Sequence, residues 1–173
     1  ARNHSGTISR VLSIRTAQLM NKSAVVQSLR LLVRAQYERA LKALAGAHEA
    51  ATGEDTKAES KYDTRGLEAS YLAAGQAEQA DEWKLALESL EAFEFPELDI
   101  DDPITPGALV EAEIEGELVF YLLAPSGGGL TCETKEGDAV TVIGPNAPLR
   151  EQLLGKTTGD ILDDPPLTIL EVT

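Results

Sequence analysis

Residues 21–48 read NKSAVVQSLRLLVRAQYERALKALAGAH, and the periodicity of this stretch decides the fold. Val25, Val26, Leu29, Leu32, Val33, Tyr37, Ala40, Leu41, Leu44, Ala47 and His48 recur at steps of three and four, the spacing that gathers side chains on one face of an α-helix. Neither proline nor glycine interrupts before Gly46. A short polar stretch, ATGEDTKAE (residues 51–59), follows. A second periodic run extends from Thr56 to Phe93. In it Tyr62, Ala69, Gln76, Trp83 and Leu90 stand seven apart, with Ala73, Ala80 and Leu87 in the adjacent row. Heptads sustained through two consecutive helices joined by a short loop predict a long antiparallel hairpin, a coiled coil with its tip near residues 50–58. Alanines at the seam let the helices approach closely. About 30 helical residues at ~1.5 Å each make an arm of roughly 45 Å. So long an arm is expected to project into solvent or into another molecule.

The second helix is expected to end at Phe93–Pro96, where proline breaks it. ELDIDDPITPG (residues 97–107) then reads as a linker, assigned to residues 96–104, between a hairpin domain at 20–95 and a second domain at 105–173. Beyond it the period changes to two. LVEAEIEGELVFYLLAP (residues 109–125) alternates and pivots at Glu115-Gly116, a β-hairpin signal. SGGG (126–129) reads as a flexible turn, and 139–143 as a short strand. APLREQLLG (147–155) gives one or two turns of helix stopped by Gly155, and KTTGDIL (156–162) and LTILEV (167–172) give two more strands. The whole is predicted to be α+β: the helical hairpin, then a small antiparallel β domain carrying one short helix.

Composition excludes several classes. Of the 173 residues 43% are hydrophobic but only 5% aromatic, which suits slender helix–helix contacts better than a thick core. The single cysteine, Cys132, can form no internal disulfide and has no companions for a zinc site; it is expected in a strand or turn without a redox role, in a reducing cytoplasm. No apolar run approaches the ~20 residues that span a bilayer. Net charge is −14 but uneven: residues 1–50 hold eight Lys/Arg against two Asp/Glu, residues 51–173 seven against 27. That acidic bulk repels phosphate backbones, so autonomous DNA or RNA binding is not expected; it serves solubility or a partner with a basic surface. Residues 1–19, rich in Ser, Thr and Arg and without acids, are set apart as a non-native or disordered tail; MNKSAVVQSL (20–29) reads as a natural start. The SGGG turn lacks the helix and lysine of a phosphate loop, and no nucleophile–His–Asp set or metal-ligand spacing occurs.

The segment VTVIGPNAPLREQLLGKTTGDIL (140–162) resembles the C-terminal domain of the GreA/GreB transcript-cleavage factors. Pro148, Leu149, Leu153-Leu154-Gly155-Lys156, Gly159-Asp160 and the closing Leu170-Glu171-Val172 carry the resemblance, together with Val119-Phe120-Tyr121 upstream. It covers about 70 residues, and the hairpin in front repeats that family's domain order. The resemblance implies an FKBP-like β domain without isomerase activity that docks on a coiled coil at the rim of RNA polymerase's secondary channel. Pro148, Leu149, Arg150 and Lys156 are the candidate polymerase-binding residues. The hairpin would enter the channel, where tip carboxylates help hold the second Mg²⁺ of the polymerase and so promote cleavage of backtracked RNA. Carboxylates are hard oxygen ligands suited to that ion. The chain would then be no enzyme itself, would carry no cofactor of its own beyond the polymerase's Mg²⁺, and would act as a monomer.

The tip bears on how far this extends. The family's loop reads like GDLSENAEY; with its tyrosine on Tyr62, the aspartate falls on Asp55, but the glutamate falls on Ala58 and Glu59 takes the next place. Asp55, with Glu54 or Glu59, forms the candidate catalytic set. The same acids also fit a helix N-terminus, where Thr56 and Glu59 could form a capping box. Two further functions stay open: a non-cleaving secondary-channel regulator that competes with Gre factors, and a coiled-coil dimeric adaptor or chaperone with an FKBP-like domain.

Overall fold

The computed structural model describes residues 20–52 and 64–173. Two long helices, α1 (Lys22–Thr52) and α2 (Arg65–Ala92), precede six strands: β1 (Leu109–Ile114), β2 (Glu117–Leu123), β3 (Thr131–Glu133), β4 (Ala139–Ile143), β5 (Ile161–Asp163) and β6 (Pro166–Val172), with the short α3 (Pro148–Leu153) between β4 and β5. The chain is α+β, a helical hairpin followed by a mixed six-stranded sheet.

Asn21 starts α1: its Oδ1 accepts the Ala24 N–H at 3.0 Å, satisfying one of the unpaired donors of a first turn. The heptad rows are the seam. In α2, Ala69, Ala73, Gln76, Ala80, Trp83, Leu87 and Leu90 are all buried or half-buried; in α1, Val26, Val33, Ala40 and Ala47 are buried seven apart. His48 and Leu41, expected on the apolar face, are exposed instead. Ala40 and Ala47 take the seam, and the next residue along lies ~100° round the helix.

The base of the hairpin lies across one face of the sheet. Val25, Val26, Leu29, Val33 and Leu90 pack with Leu109, Phe120, Leu122, Cys132, Val140 and Val142. The other face packs Val110, Leu123, Ile143 and Ile169 against Leu153 of α3 and against Ile104. Along β2 the two cores alternate, with Phe120 and Leu122 to one side and Tyr121 and Leu123 to the other, as the pleat requires. Among the described residues, neither core contains a helical residue beyond Val33 of α1 or before Trp83 of α2. The remaining 19 or so residues of α1 extend roughly 28 Å past the sheet with only α2 for company.

Strand order is β3-β4-β2-β1-β6-β5. The β1–β2 turn is the expected one: Glu115 and Gly116 both take positive φ (53° and 87°), the two-residue geometry that matches strand twist. One pairing departs from the antiparallel expectation. β2 and β4 run parallel, because the chain leaves β2, skips a strand's width to form β3 at the edge, and returns by a hairpin as β4 in the gap. β3 has three residues, too few to show a period.

Gly127 and Gly128 of the expected flexible turn are packed against other parts of the fold, while Gly129 is open to solvent. A Cβ on Gly128 would lie 2.9 Å from the backbone of Gly144, and Gly127 sits against Leu29. The linker is also ordered. Ile104 is 1% exposed, its N–H bonds the Lys156 carbonyl at 2.7 Å, and its carbonyl accepts the Gly155 N–H at 2.8 Å. Phe93 and Pro96 close on Gly107, which has no room for a side chain.

Candidate functional site

Three places carry candidate residues: the hairpin tip, the corner around α3, and the hairpin base. Asp55, Glu54 and Glu59 lie outside the described residues.

The α3 corner holds the other four. Pro148 occupies the first turn of α3, where its missing N–H costs nothing, and it is exposed. Leu149 packs partly into the second core. Arg150 turns inward. Only 7% exposed, it donates from Nη1 to the carbonyls of Ala124 (2.9 Å) and Ile143 (3.1 Å), at the ends of the parallel pair β2 and β4. Burial pushes its guanidinium below the ordinary value. Arg150 is thus a clamp within the domain, and its charge faces backbone oxygens rather than a partner. Lys156 is exposed while its backbone holds Ile104.

The same corner explains why this segment is so readable. Leu153 is fully buried, Gly155 (φ 78°) ends α3, and Gly159 (φ 91°) shapes the turn in which Asp160 Oδ2 accepts the Thr157 N–H at 2.8 Å. These residues build the fold. The surface of the corner exposes apolar side chains beside Glu151, Gln152 and Lys156: Ile100 (61% exposed), Ile161 (68%) and Leu154 stand out, and Thr158 Oγ1 donates to the Ile100 carbonyl at 3.0 Å, tying the linker beside the α3–β5 loop. Sequence reasoning passed over Ile100 and Ile161. For Ile161 the signal was its phase, since Leu162 next door is the core residue.

The base is cross-tied. Lys22 Nζ donates to the carbonyls of Pro96 and Thr173, so one cation holds the start of α1, the linker and the end of β6. Desolvation holds the ammonium below its usual range, partly offset by Glu97. Ser126 Oγ donates to the Ala86 carbonyl at 2.7 Å. Cys132, fully buried in β3 as expected of a strand residue, lies against α1. Burial pushes its thiol up, and a hydrogen bond with Ser28 opposes the shift.

Among the described residues no group of His, Cys, Asp and Glu could hold a metal ion, and no helix is long and apolar enough to cross a membrane. What the described residues form is a stiff arm on a small sheet with apolar side chains exposed at one corner.

No protein-family model and no curated protein matches the chain. Solved structures do. The GreA factor homolog 1 (Gfh1) of Thermus thermophilus is 20% identical over 83% of this chain and 94% of its own, with a TM-score of 0.33. A second structure, of the transcription factor Gfh1, is 23% identical over 86% and 93%, TM-score 0.33. Thermus aquaticus Gfh1 is 20% identical over 87% and 94%, again at 0.33.

Proposed function

We propose that this chain is a Gre-like factor that binds RNA polymerase at its secondary channel and regulates transcription elongation, without being an enzyme itself. The observation that carries this reading is the segment 140–162 combined with a hairpin that leaves its sheet: the stretch that resembles the Gre docking domain is attached to an arm whose first helix, among the described residues, joins neither core of the sheet beyond Val33. An arm of that length, seamed by small alanines, gains little from its own packing, since each buried methyl contributes under about 1 kcal/mol. It suits insertion into a narrow opening. In this reading the exposed α3 corner, with Pro148, Lys156, Leu154 and Ile161, meets the polymerase, and Arg150 holds that corner in shape. The FKBP-like character of the β domain belongs to the same proposal.

The tip divides two versions. Asp55 with Glu54 or Glu59 would supply carboxylates to the Mg²⁺ of the polymerase and stimulate cleavage of backtracked RNA. Ala58, standing where the family's loop has its glutamate, favours the non-cleaving regulator that competes with Gre factors. The test is capture of purified RNA polymerase, followed by RNA cleavage in a backtracked complex at saturating factor. Binding with cleavage that is lost in Asp55→Ala supports the catalytic version. Binding without cleavage supports the competitor. Absence of binding overturns both, and a stable dimer in sedimentation would then point to the adaptor.

A further inference from the structure

We propose that the flank of α1 beside the seam at the hairpin base is a docking groove for an acidic peptide segment with an apolar anchor, contributed by another protein. Ser23, Val26, Gln27, Arg30, Leu31 and Arg34 line an open groove of about 320 Å³ there. Val26 forms a buried floor, and Leu31 stands 59% exposed beside it. Arg30 is held in place: Nε and Nη2 both donate to the Leu90 carbonyl, and its guanidinium lies 5.9 Å from the centre of the Phe95 ring. Among the described residues Nη1 has no acceptor, so both of its N–H donors remain available on a cation that has already lost its side-chain freedom. A fixed guanidinium fork binds carboxylate with less ordering cost than a mobile one.

Charge complementarity selects the occupant. The described part of α1 has five Lys/Arg against two acids, in a chain of net charge −14. The second cation of the groove, Arg34, is already paired with Glu91 at 2.6 Å. The groove therefore suits one or two carboxylates next to an apolar side chain on Leu31 and Val26. It does not suit a polyphosphate, whose regular charges would meet Glu91 and the acidic bulk. This site is independent of the polymerase reading, and its failure would leave that reading untouched.

The test uses the full chain and a fluorescein-labelled short helical peptide with leucines on one face and glutamates on the other, followed by anisotropy. Saturable binding is expected to weaken about tenfold in Leu31→Glu, while Leu85→Glu, an equally exposed site on α2, leaves it unchanged. Both variants should keep the wild-type circular dichroism. Binding that is absent, or equal in the two variants, overturns the proposal. So does a short oligouridylate that binds more tightly than the peptide and is lost in Leu31→Glu.

Discussion

The Arg30 guanidinium donates from Nε at 3.2 Å and from Nη2 at 3.1 Å to one oxygen, the carbonyl of Leu90 in the last turn of α2. That oxygen has no partner within its own helix end, and a cation there also meets the negative end of the helix dipole. One side chain of α1 therefore caps the other helix of the hairpin just where both enter the first core. Arg30→Met should cost about 1.5–3 kcal/mol, the range for hydrogen bonds to a charged group. Urea unfolding at low and high salt would measure it, and the loss should persist at high salt because the contact is half-buried.

Arg150 makes the corresponding clamp on the other side of the sheet. Arg150→Met removes the donor to Ala124 O and Ile143 O and should cost about 2–4 kcal/mol. Lys156→Met should leave stability within about 0.5 kcal/mol, since its side chain is exposed. If Arg150→Met instead left the melting temperature unchanged and abolished polymerase capture, the inward role of Arg150 would be wrong.

The glycines offer an internal contrast. Gly46 and Gly75 sit mid-helix with open space where a Cβ would go. Ala at either should stabilise the hairpin by about 0.5–1 kcal/mol. Gly128→Ala places a methyl 2.9 Å from Gly144 backbone and should destabilise by at least about 2 kcal/mol. Thermal melts of the three variants suffice.

Alkaline pH should weaken the packing on both faces of the sheet, Cys132 lying on the hairpin side and Tyr121 on the α3 side. The Cys132 thiol and the Tyr121 phenol are both raised by burial above their ordinary values of 9.0 and 10.0. A raised folded pKa means that the unfolded chain loses its proton first. Their contribution is whole below those ordinary values and is lost as pH climbs through the folded ones. Lys22 acts in the opposite sense: its folded pKa is depressed, so its desolvation penalty fades as pH rises toward 10.5. Cys132→Ala isolates the thiol. The stability gap between wild type and variant should narrow from pH 8 upward past about pH 9, as read by urea titration at each pH.

Much of the architecture was legible because it rests on local repetition. The heptad rows through Ala69, Trp83 and Leu90 report directly which face of α2 is covered, and Glu115-Gly116 announces its turn by conformational preference alone. The α3 corner was readable because Leu153, Gly155 and Asp160 build local turns. Less legible were features made by distant parts of the chain. The parallel pairing of β2 with β4 depends on a three-residue strand without a period. Gly127 and Gly128 looked flexible because their partners, Leu29 and Gly144, are far off in sequence. Arg150 looked like a surface cation because nothing near it reveals the two carbonyls it serves.

The sequence by itself determined the division into a helical arm and a β domain, the seam of the hairpin and the turns of the sheet, since each follows from the preferences of neighbouring residues. Only the tertiary structure decided which cations face solvent, how the linker is bound and where the arm leaves the sheet. Those depend on which unpaired carbonyls and apolar faces the fold brings together, and a buried polar group must take whatever partner lies within hydrogen-bond distance.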